Sequence, residues 1–293
     1  MRSHTVFIAL LCHALFSHVL AAGTIRSIFL FKDVLKSNTT ALQTSGFNTL
    51  IIFGVGVLPN GDIMYYSNTP GSKDVLVASG GSYVGGDALA TKVRTFKTGI
   101  NTTVTRLEIS MNAQNIRALM ASPGPGATTP LYRNFAALKT AWTLDAVNND
   151  DESVYDTAST VSFARMLGAI GYRYTIAPYT VPSFWAGVVA GANRDLKDLL
   201  LDKVYLQCYD GGAGNVPATW RASLGMAVVP VLWVINDSKP VYGQSPAQAR
   251  EQFAQWSREG GGMAGGGYWN DYDIEKMGSS YEEYGYVLQD VFR

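Results

Sequence analysis

Strand-like and acidic sequence meet in one stretch, Leu144-Asp145-Ala146-Val147-Asn148-Asn149-Asp150-Asp151-Glu152. Side chains of a β-strand alternate between its two faces with a period of two residues. Asn148, Asp150 and Glu152 are therefore expected to point the same way. A row of polar side chains on one strand face is costly to bury without partners. The stretch predicts a strand whose carboxyl end opens into a functional site.

Seven other apolar runs of strand length occur along the chain, and helix-like stretches follow them. They lie near residues 27–31, 48–55, 104–110, 172–177, 203–209, 226–233 and 263–269. Near-continuous apolar runs of this kind are typical of parallel strands buried on both faces. Eight strand-then-helix units predict an α/β fold, a single-domain (β/α)8 TIM barrel over residues 22–293. An open doubly wound sheet is disfavoured because no glycine-rich dinucleotide fingerprint follows a strand.

Local signals refine this arrangement. Residues 56–85 are rich in Gly, Ser, Asn and Pro, and they predict a small insertion after the second strand, with a hairpin of residues 64–66 and 75–77 beside the barrel mouth. A helix is predicted over residues 153–170, ending at Gly171. Ser245-Pro246-Ala247-Gln248 matches a capping box with proline at the first helical position.

Residues 1–21 have the pattern of a signal peptide, with Arg2, an apolar centre and the small-residue end Val19-Leu20-Ala21. No later run has the length of a membrane span, so a soluble, secreted protein is expected. All three histidines and Cys12 lie within this segment. The mature chain would then lack histidine-dependent catalysis and histidine-ligated metals, and the lone Cys208 could form no intramolecular disulfide.

The composition, 47% hydrophobic and 16% charged, is that of a globular protein. Acidic and basic residues nearly balance and no basic face is evident, which argues against nucleic-acid binding. A monomer without cofactor or metal ion is expected. Asn38, Asn101 and Asn236 begin N-glycosylation acceptor motifs, which fit a secretory route.

In such a barrel the functional site lies at the carboxyl ends of the strands. Strand four brings Asn148, Asp150 and Glu152 there. Strand six ends in Gln207-Cys208-Tyr209-Asp210, and strand eight ends in Trp269. Three strands thus deliver carboxyl, phenol, amide and indole groups to one rim.

Here the sequence resembles glycoside hydrolase family 18, the chitinase and endo-β-N-acetylglucosaminidase group. The family motif D-G-x-D-x-D-x-E is similar to residues 145–152, Q/M-x-Y-D/N is similar to residues 207–210, and Trp269 stands for the family's strand-eight tryptophan. The resemblance implies an oligo- or polysaccharide as substrate and no cofactor. Glu152 would protonate the glycosidic oxygen, and Asp150 would orient the substrate's acetamido group for attack. A second carboxylate nearby raises the pKa of such an acid.

By the same resemblance Tyr209 would bond the acetamido oxygen and Trp269 would form the floor under the sugar. Asn148, Gln207 and Asp210 are expected to contact substrate. Asp145 falls off the shared face by period counting, so structural support and a site role both stay open for it.

The chain departs from the family pattern at several positions. Ala146 replaces glycine and Asn148 replaces aspartate; Asn149 and Asp151 stand where apolar residues are usual, and Ser110-Met111-Asn112-Ala113 replaces S-x-G-G on strand three. Two alternatives therefore remain. One is a chitinase-like carbohydrate-binding protein without turnover. The other is a barrel glycosidase that pairs Glu152 with Asp210 or Asp271 on another polysaccharide.

Ordinary structural roles compete with these assignments. Asp150, Asp151 and Glu152 could cap the following helix. Trp185 and Trp233 follow or end strands and could line outer subsites, but core packing is favoured for each. Arg106 and Glu108 share a strand face and predict an internal ion pair.

Overall fold

The computed structural model describes residues 23–260 and 262–292, and the expected signal peptide lies outside them. Eight parallel strands close into a barrel, because each strand pairs with the next and the eighth pairs with the first. Barrel strands 1 to 8 are Ile25–Leu30, Thr49–Val57, Arg106–Met111, Ala146–Asn149, Arg173–Ile176, Leu201–Gln207, Val229–Val234 and Gly265–Trp269. The predicted single-domain (β/α)8 fold is confirmed.

Helices cover the outside of the barrel. Their bounds are Thr39–Thr44, Asp87–Thr98, Ile116–Ala121, Pro130–Trp142, Thr157–Ile170, Pro182–Asn193, Pro217–Leu224, Pro246–Arg258, Asp271–Lys276 and Tyr281–Val291. Short 3-10 turns lie at Val34–Lys36, Asp210–Gly212 and Pro240–Tyr242, and the two-residue strand Gly243–Gln244 pairs with barrel strand 7. Within the described ranges, no helix is long and apolar enough to cross a membrane.

The insertion after strand 2 forms the predicted antiparallel hairpin. Its strands Ile63–Tyr65, Val75–Ser79 and Ser82–Tyr83 extend the sheet outward from strand 2. Tyr65 packs edge-to-face on Trp142 of the neighbouring helix, with ring centroids 5.9 Å apart. The loop just after the first of these strands borders a small cavity at the barrel mouth, beside Asp150. The insertion therefore shapes the mouth, as expected.

A buried ionic network fills the amino-terminal end of the barrel. Arg106 donates to Glu108 at 2.6 Å and makes a bidentate pair with Asp202 at 2.8 Å. Tyr205 and Thr175 donate their hydroxyls to the same Glu108 carboxylate, at 2.7 and 2.6 Å. Every oxygen of the fully buried Glu108 is thus satisfied, which is the condition for burying a charge at tolerable cost. The predicted internal ion pair is confirmed.

Both halves of the capping box predicted at Ser245 are present, and the helix Pro246–Arg258 begins there. We expect Ser245→Ala to lower the free energy of unfolding by about 1 kcal/mol, because the N–H of Gln248 loses its acceptor. Urea unfolding followed by circular dichroism measures the change. Ser257→Ala, at an exposed position near the other end of this helix, is the control and should be close to neutral. An equal loss in both variants would contradict the capping role.

The three glycosylation motifs lie in different surroundings. Asn38 and Asn101 are exposed. Asn236 is only 2% exposed, donates to the carbonyl of Val234 and accepts from the N–H of Lys239. Of the three motifs, that of Asn236 is inaccessible in the folded chain, because its amide is already used inside the protein.

Candidate active site

An open cleft of about 580 Å³ lies at the carboxyl ends of the barrel strands. Six of the residues that the sequence singles out line it, and they come from strands 4, 6 and 8: Asp150, Glu152, Gln207, Tyr209, Asp210 and Trp269. Side chains distant in sequence meet here because parallel strands of a closed barrel end at one rim.

Asp150 directly follows strand 4 and is held by strand 6. The Nε2 of Gln207 donates to Asp150 Oδ1 at 3.0 Å, and the same amide nitrogen donates to the carbonyl of Ala177 at 2.9 Å. Gln207 is thereby fixed between strands 5 and 6. Its role in the structure is to orient the Asp150 carboxyl from the far side of the cleft.

Burial raises the pKa of Asp150 to about 8, and the negative charges of Glu152 and Asp151 add to this effect. The hydrogen bond from Gln207 lowers the pKa, but by less than burial raises it. Asp150 therefore carries a proton at neutral pH, whereas an ordinary aspartate does not.

Strand 4 ends earlier than its sequence pattern indicates, at Asn149. The buried Asp151 carboxylate accepts the backbone N–H groups of Ser153 and Val154 on one oxygen, at 3.0 and 2.8 Å, and that of Tyr155 on the other, at 2.9 Å. The chain turns here, and the exposed Glu152 projects from the turn into the cleft.

The following helix begins at Thr157 and not at residue 153. Asp156 caps it by accepting the N–H of Ser159 at 2.8 Å. The alternative in which residues 150–152 cap this helix is therefore wrong. Its proper cap lies further along the chain, which leaves Asp150 and Glu152 free for the cleft.

Aromatic rings form the wall and floor of the cleft. Tyr209 stacks on Trp269, with centroids 6.4 Å apart and planes 17° apart, and meets Trp233 edge-on at 5.5 Å. Phe53 meets Trp269 at right angles, with centroids 4.7 Å apart. Burial, and then the nearby carboxyls of Asp150 and Glu152, raise the pKa of Tyr209 well above its usual value. Its hydroxyl therefore stays protonated and remains a hydrogen-bond donor.

Trp233 was expected in the core, and this prediction is wrong, because the ring lines the cleft. Its indole nitrogen donates to Asp273 Oδ2 at 2.8 Å, which holds the ring on the cleft wall. Its position near the carboxyl end of strand 7 was the available signal. Trp185, by contrast, is buried at 1% exposure as expected. Sequence reasoning also missed six further lining residues, Phe53, Asn112, Gln114, Ser153, Tyr179 and Gly211.

Two expected substrate contacts do not reach the cleft. Asp145 precedes strand 4, at the end of the barrel opposite the cleft, where it pairs with Lys97 at 2.7 Å and accepts the N–H of Leu107 at 2.8 Å. Asn148 is fully buried below the cleft, where it accepts from Ser110 at 2.9 Å and donates to Thr175 at 3.0 Å. The expected substrate contact of Asn148 is corrected by its burial, and of the two roles left open for Asp145 the structure shows structural support, because its carboxylate pairs with Lys97 away from the cleft.

Asp210 and Asp271 differ in access to the cleft. Asp210 lines it and forms an ion pair with Lys239 from the loop after strand 7. Asp271 is fully buried and accepts the N–H groups of Phe31 and Lys32 at 2.7 and 2.9 Å, and burial raises its pKa to about 7. Asp271 ties strand 8 to strand 1, so it does not serve as a second catalytic carboxyl with Glu152.

No family model matches this sequence, and no curated protein is similar to it at the sequence level. Solved structures do share its fold. A family 18 chitinase from Pseudoalteromonas aurantia is 10% identical, with 92% of this chain and 100% of that chain covered and a TM-score of 0.63. A chitinase from Bacteroides thetaiotaomicron is 12% identical, with 92% of this chain and 97% of that chain covered and a TM-score of 0.63.

A fungal endo-β-N-acetylglucosaminidase from glycosyl hydrolase family 18 is 13% identical, with 92% of this chain and 98% of that chain covered and a TM-score of 0.63. Identities this low speak for the fold and not for the activity. The chain has the TIM-barrel fold of the glycoside hydrolase family 18 enzymes.

Proposed function

We propose that the chain is a secreted glycoside hydrolase that cleaves β-linked N-acetylglucosamine glycans by substrate-assisted acid catalysis. One observation carries the proposal. Asp150, Glu152, Tyr209 and Trp269 line a single cleft at the catalytic end of a glycoside hydrolase fold. This is the set that an acetamido-bearing sugar requires: an acid, a partner for the amide, a donor for its carbonyl and an apolar floor.

In the proposed reaction, the proton that Asp150 holds at rest passes to Glu152, which gives it to the glycosidic oxygen, and the bond from that oxygen to the anomeric carbon breaks. The acetamido carbonyl oxygen of the same sugar forms the new bond to that carbon, which yields a cyclic oxazolinium ion. Water then attacks the anomeric carbon, the ring opens, and Glu152 takes up the proton that the water loses. The donated proton leaves with the released fragment, and Glu152 returns the proton taken from water to Asp150, which restores the resting state.

Asp150 holds the acetamido group during this attack. Its carboxyl is fixed by Gln207, and its raised pKa of about 8 keeps it neutral in the resting protein. Positive charge that develops on the acetamido group favours the ionised form of Asp150, so stabilisation grows as the reaction proceeds. The protonated Tyr209 hydroxyl donates to the carbonyl oxygen, and the Trp269 ring packs against the apolar face of the sugar.

Asn148 supports a second candidate, a chitinase-like protein that binds glycans without turnover. The neutral amide of Asn148 bonds Ser110 and Thr175, and it places no charge beneath Asp150. Asp210 supports the third candidate, a two-carboxylate glycosidase, because it shares the cleft with Glu152.

A panel of soluble oligomers decides among these candidates. We expect release of new reducing ends from N-acetylated glucosamine oligomers and none from the deacetylated oligomers of equal length, because the attacking group is then missing. Cleavage of both, or of neutral polysaccharides, would favour the two-carboxylate mechanism. Binding without cleavage would favour the glycan-binding protein.

The remaining parts of the proposal concern the state of the protein. Export is expected because residues 1–21 resemble a signal peptide, and the protein is expected to be a monomer. The exposed Asn38 and Asn101 are available for glycosylation. Mass spectrometry of protein secreted by a eukaryotic host would locate the first residue and any glycan.

A further inference from the structure

We propose that Asp151 is a positioning residue for the site: its buried carboxylate fixes the turn that carries Glu152 into the cleft. The same carboxylate directly follows Asp150 in the chain and has a second, electrostatic role there. This inference rests on the proposed function for its kinetic consequences. Its structural part concerns the free protein and does not depend on turnover.

The geometry gives Asp151 the first of these roles. Strand 4 has ended at Asn149, so strand alternation no longer determines where the side chain of Glu152 points. Three consecutive backbone N–H groups after Glu152 converge on the Asp151 carboxylate, which is 2% exposed. A side chain with both oxygens engaged in this way leaves the turn little freedom. Glu152 lies between Asp151 and residues 153–155, whose N–H groups Asp151 accepts.

The turn is also tied to the opposite wall. Tyr155, the last residue whose N–H Asp151 accepts, has a φ of 45° and packs edge-to-face on Phe184 with centroids 5.3 Å apart. Its hydroxyl lies near that of Tyr179, a residue that lines the cleft. The turn of residues 151–155, which bears Glu152, is therefore in contact with the aromatic residues Tyr179 and Phe184 that follow strand 5.

The second role follows from charge. Asp151 and Glu152 are the carboxyls that raise the pKa of Asp150 beyond the effect of burial. Gln207 and Tyr209 face Asp150 from the strand-6 side, Tyr66 and Asn112 face it across the small cavity at the mouth, and Asp210, paired with Lys239, lines the same cleft. The charge of Asp151 is thus one of two that keep the proton on Asp150.

The test compares Asp151→Asn with Asp156→Asn. Both replace a carboxylate of the same loop that accepts backbone N–H groups, but Asp156 caps the next helix and does not line the cleft. Carboxyl ¹³C resonances of the free protein are followed by NMR from acidic to alkaline pH, and Asp150→Asn assigns the signal of Asp150. We expect Asp150 to titrate at a lower pH in Asp151→Asn and at an unchanged pH in Asp156→Asn.

Kinetics on an N-acetylated oligomer supply the second measurement. We expect kcat of Asp151→Asn to fall about tenfold or more while KM changes little, because a misplaced acid affects the chemical step. The alkaline limb of its pH–rate profile should move to lower pH. Should the wild-type protein cleave no glycan, the proposed function fails, and the NMR titration alone decides the role of Asp151.

An unchanged Asp150 titration together with an unchanged kcat in Asp151→Asn would overturn the proposal. If that variant does not fold, Asp151→Ser, whose hydroxyl still accepts a backbone N–H, is measured in the same way. Loss of the folded state in both variants would also overturn it, because Asp151 would then hold the fold and not the site.

Discussion

Glu152→Gln should lower kcat on N-acetylated oligomers by roughly 10²- to 10⁴-fold, the usual effect of removing a general acid. Glutamine has the shape of glutamate but supplies no acidic proton to the leaving oxygen. Glu152 is exposed at the cleft, so its replacement should leave the fold and the affinity for oligomers nearly unchanged. Initial rates of reducing-end release and calorimetric titration with an oligomer measure the two quantities separately.

Glu251→Gln is a suitable control, because Glu251 is exposed on the outer helix Pro246–Arg258. It should leave kcat unchanged. Activity of Glu152→Gln within a few-fold of the wild-type value would show that another group supplies the proton, and Asp210 would then be the carboxyl of the cleft to replace next.

Asp150→Asn should show an activity loss of similar order together with a change in how stability depends on pH. The folded pKa of Asp150, about 8, lies above the ordinary value of 3.8. Between these values the folded protein holds a proton that the unfolded chain has released. The wild-type protein therefore loses stability as the pH rises from about 4 to about 8, and this contribution stays lost at higher pH.

The asparagine variant cannot lose that proton, so its stability relative to the wild-type protein should increase across the same interval. Thermal midpoints at about pH 5 and about pH 8.5 test this expectation. Asp195→Asn, at an exposed position, is the control and should shift both midpoints alike. A constant difference between Asp150→Asn and the wild-type protein at the two pH values would contradict a proton on Asp150.

The barrel itself was predictable because its signals are local. Apolar runs of strand length alternate with helices that caps and glycines delimit. In such a chain, consecutive strands pair in parallel, and this gives the strand order of a closed barrel. The capping box at Ser245 and the insertion after strand 2 were visible for the same reason. Each of these features depends on neighbours within a few residues.

The site was predictable only in part. The period of two correctly placed Asp150 and Glu152 in one cleft, yet strand 4 ends before both of them. What brings Glu152 there is a turn held by Asp151, and Asp151 was not recognisable from alternation. Asn148 has the right parity, but it lies one layer down, where Ser110 and Thr175 use its amide.

Contacts between distant residues account for the other differences. The bond from Gln207 to Asp150 joins residues 57 positions apart, and that from Trp233 to Asp273 joins residues 40 positions apart. The local sequence around these residues does not predict which distant residue each of them bonds. Trp233 was therefore placed in the core, although its position at the end of a strand would have justified the cleft.

The buried network of Arg106, Glu108 and Asp202 limits the routes by which a substrate can reach and leave the cleft. It seals one end of the barrel, so no passage runs along the barrel axis away from the cleft. Under the proposed function, a sugar polymer would arrive laterally across the open face, and both fragments would depart by that same face. Departure of the fragments then competes with their return, and a long polymer has no tunnel along which to thread.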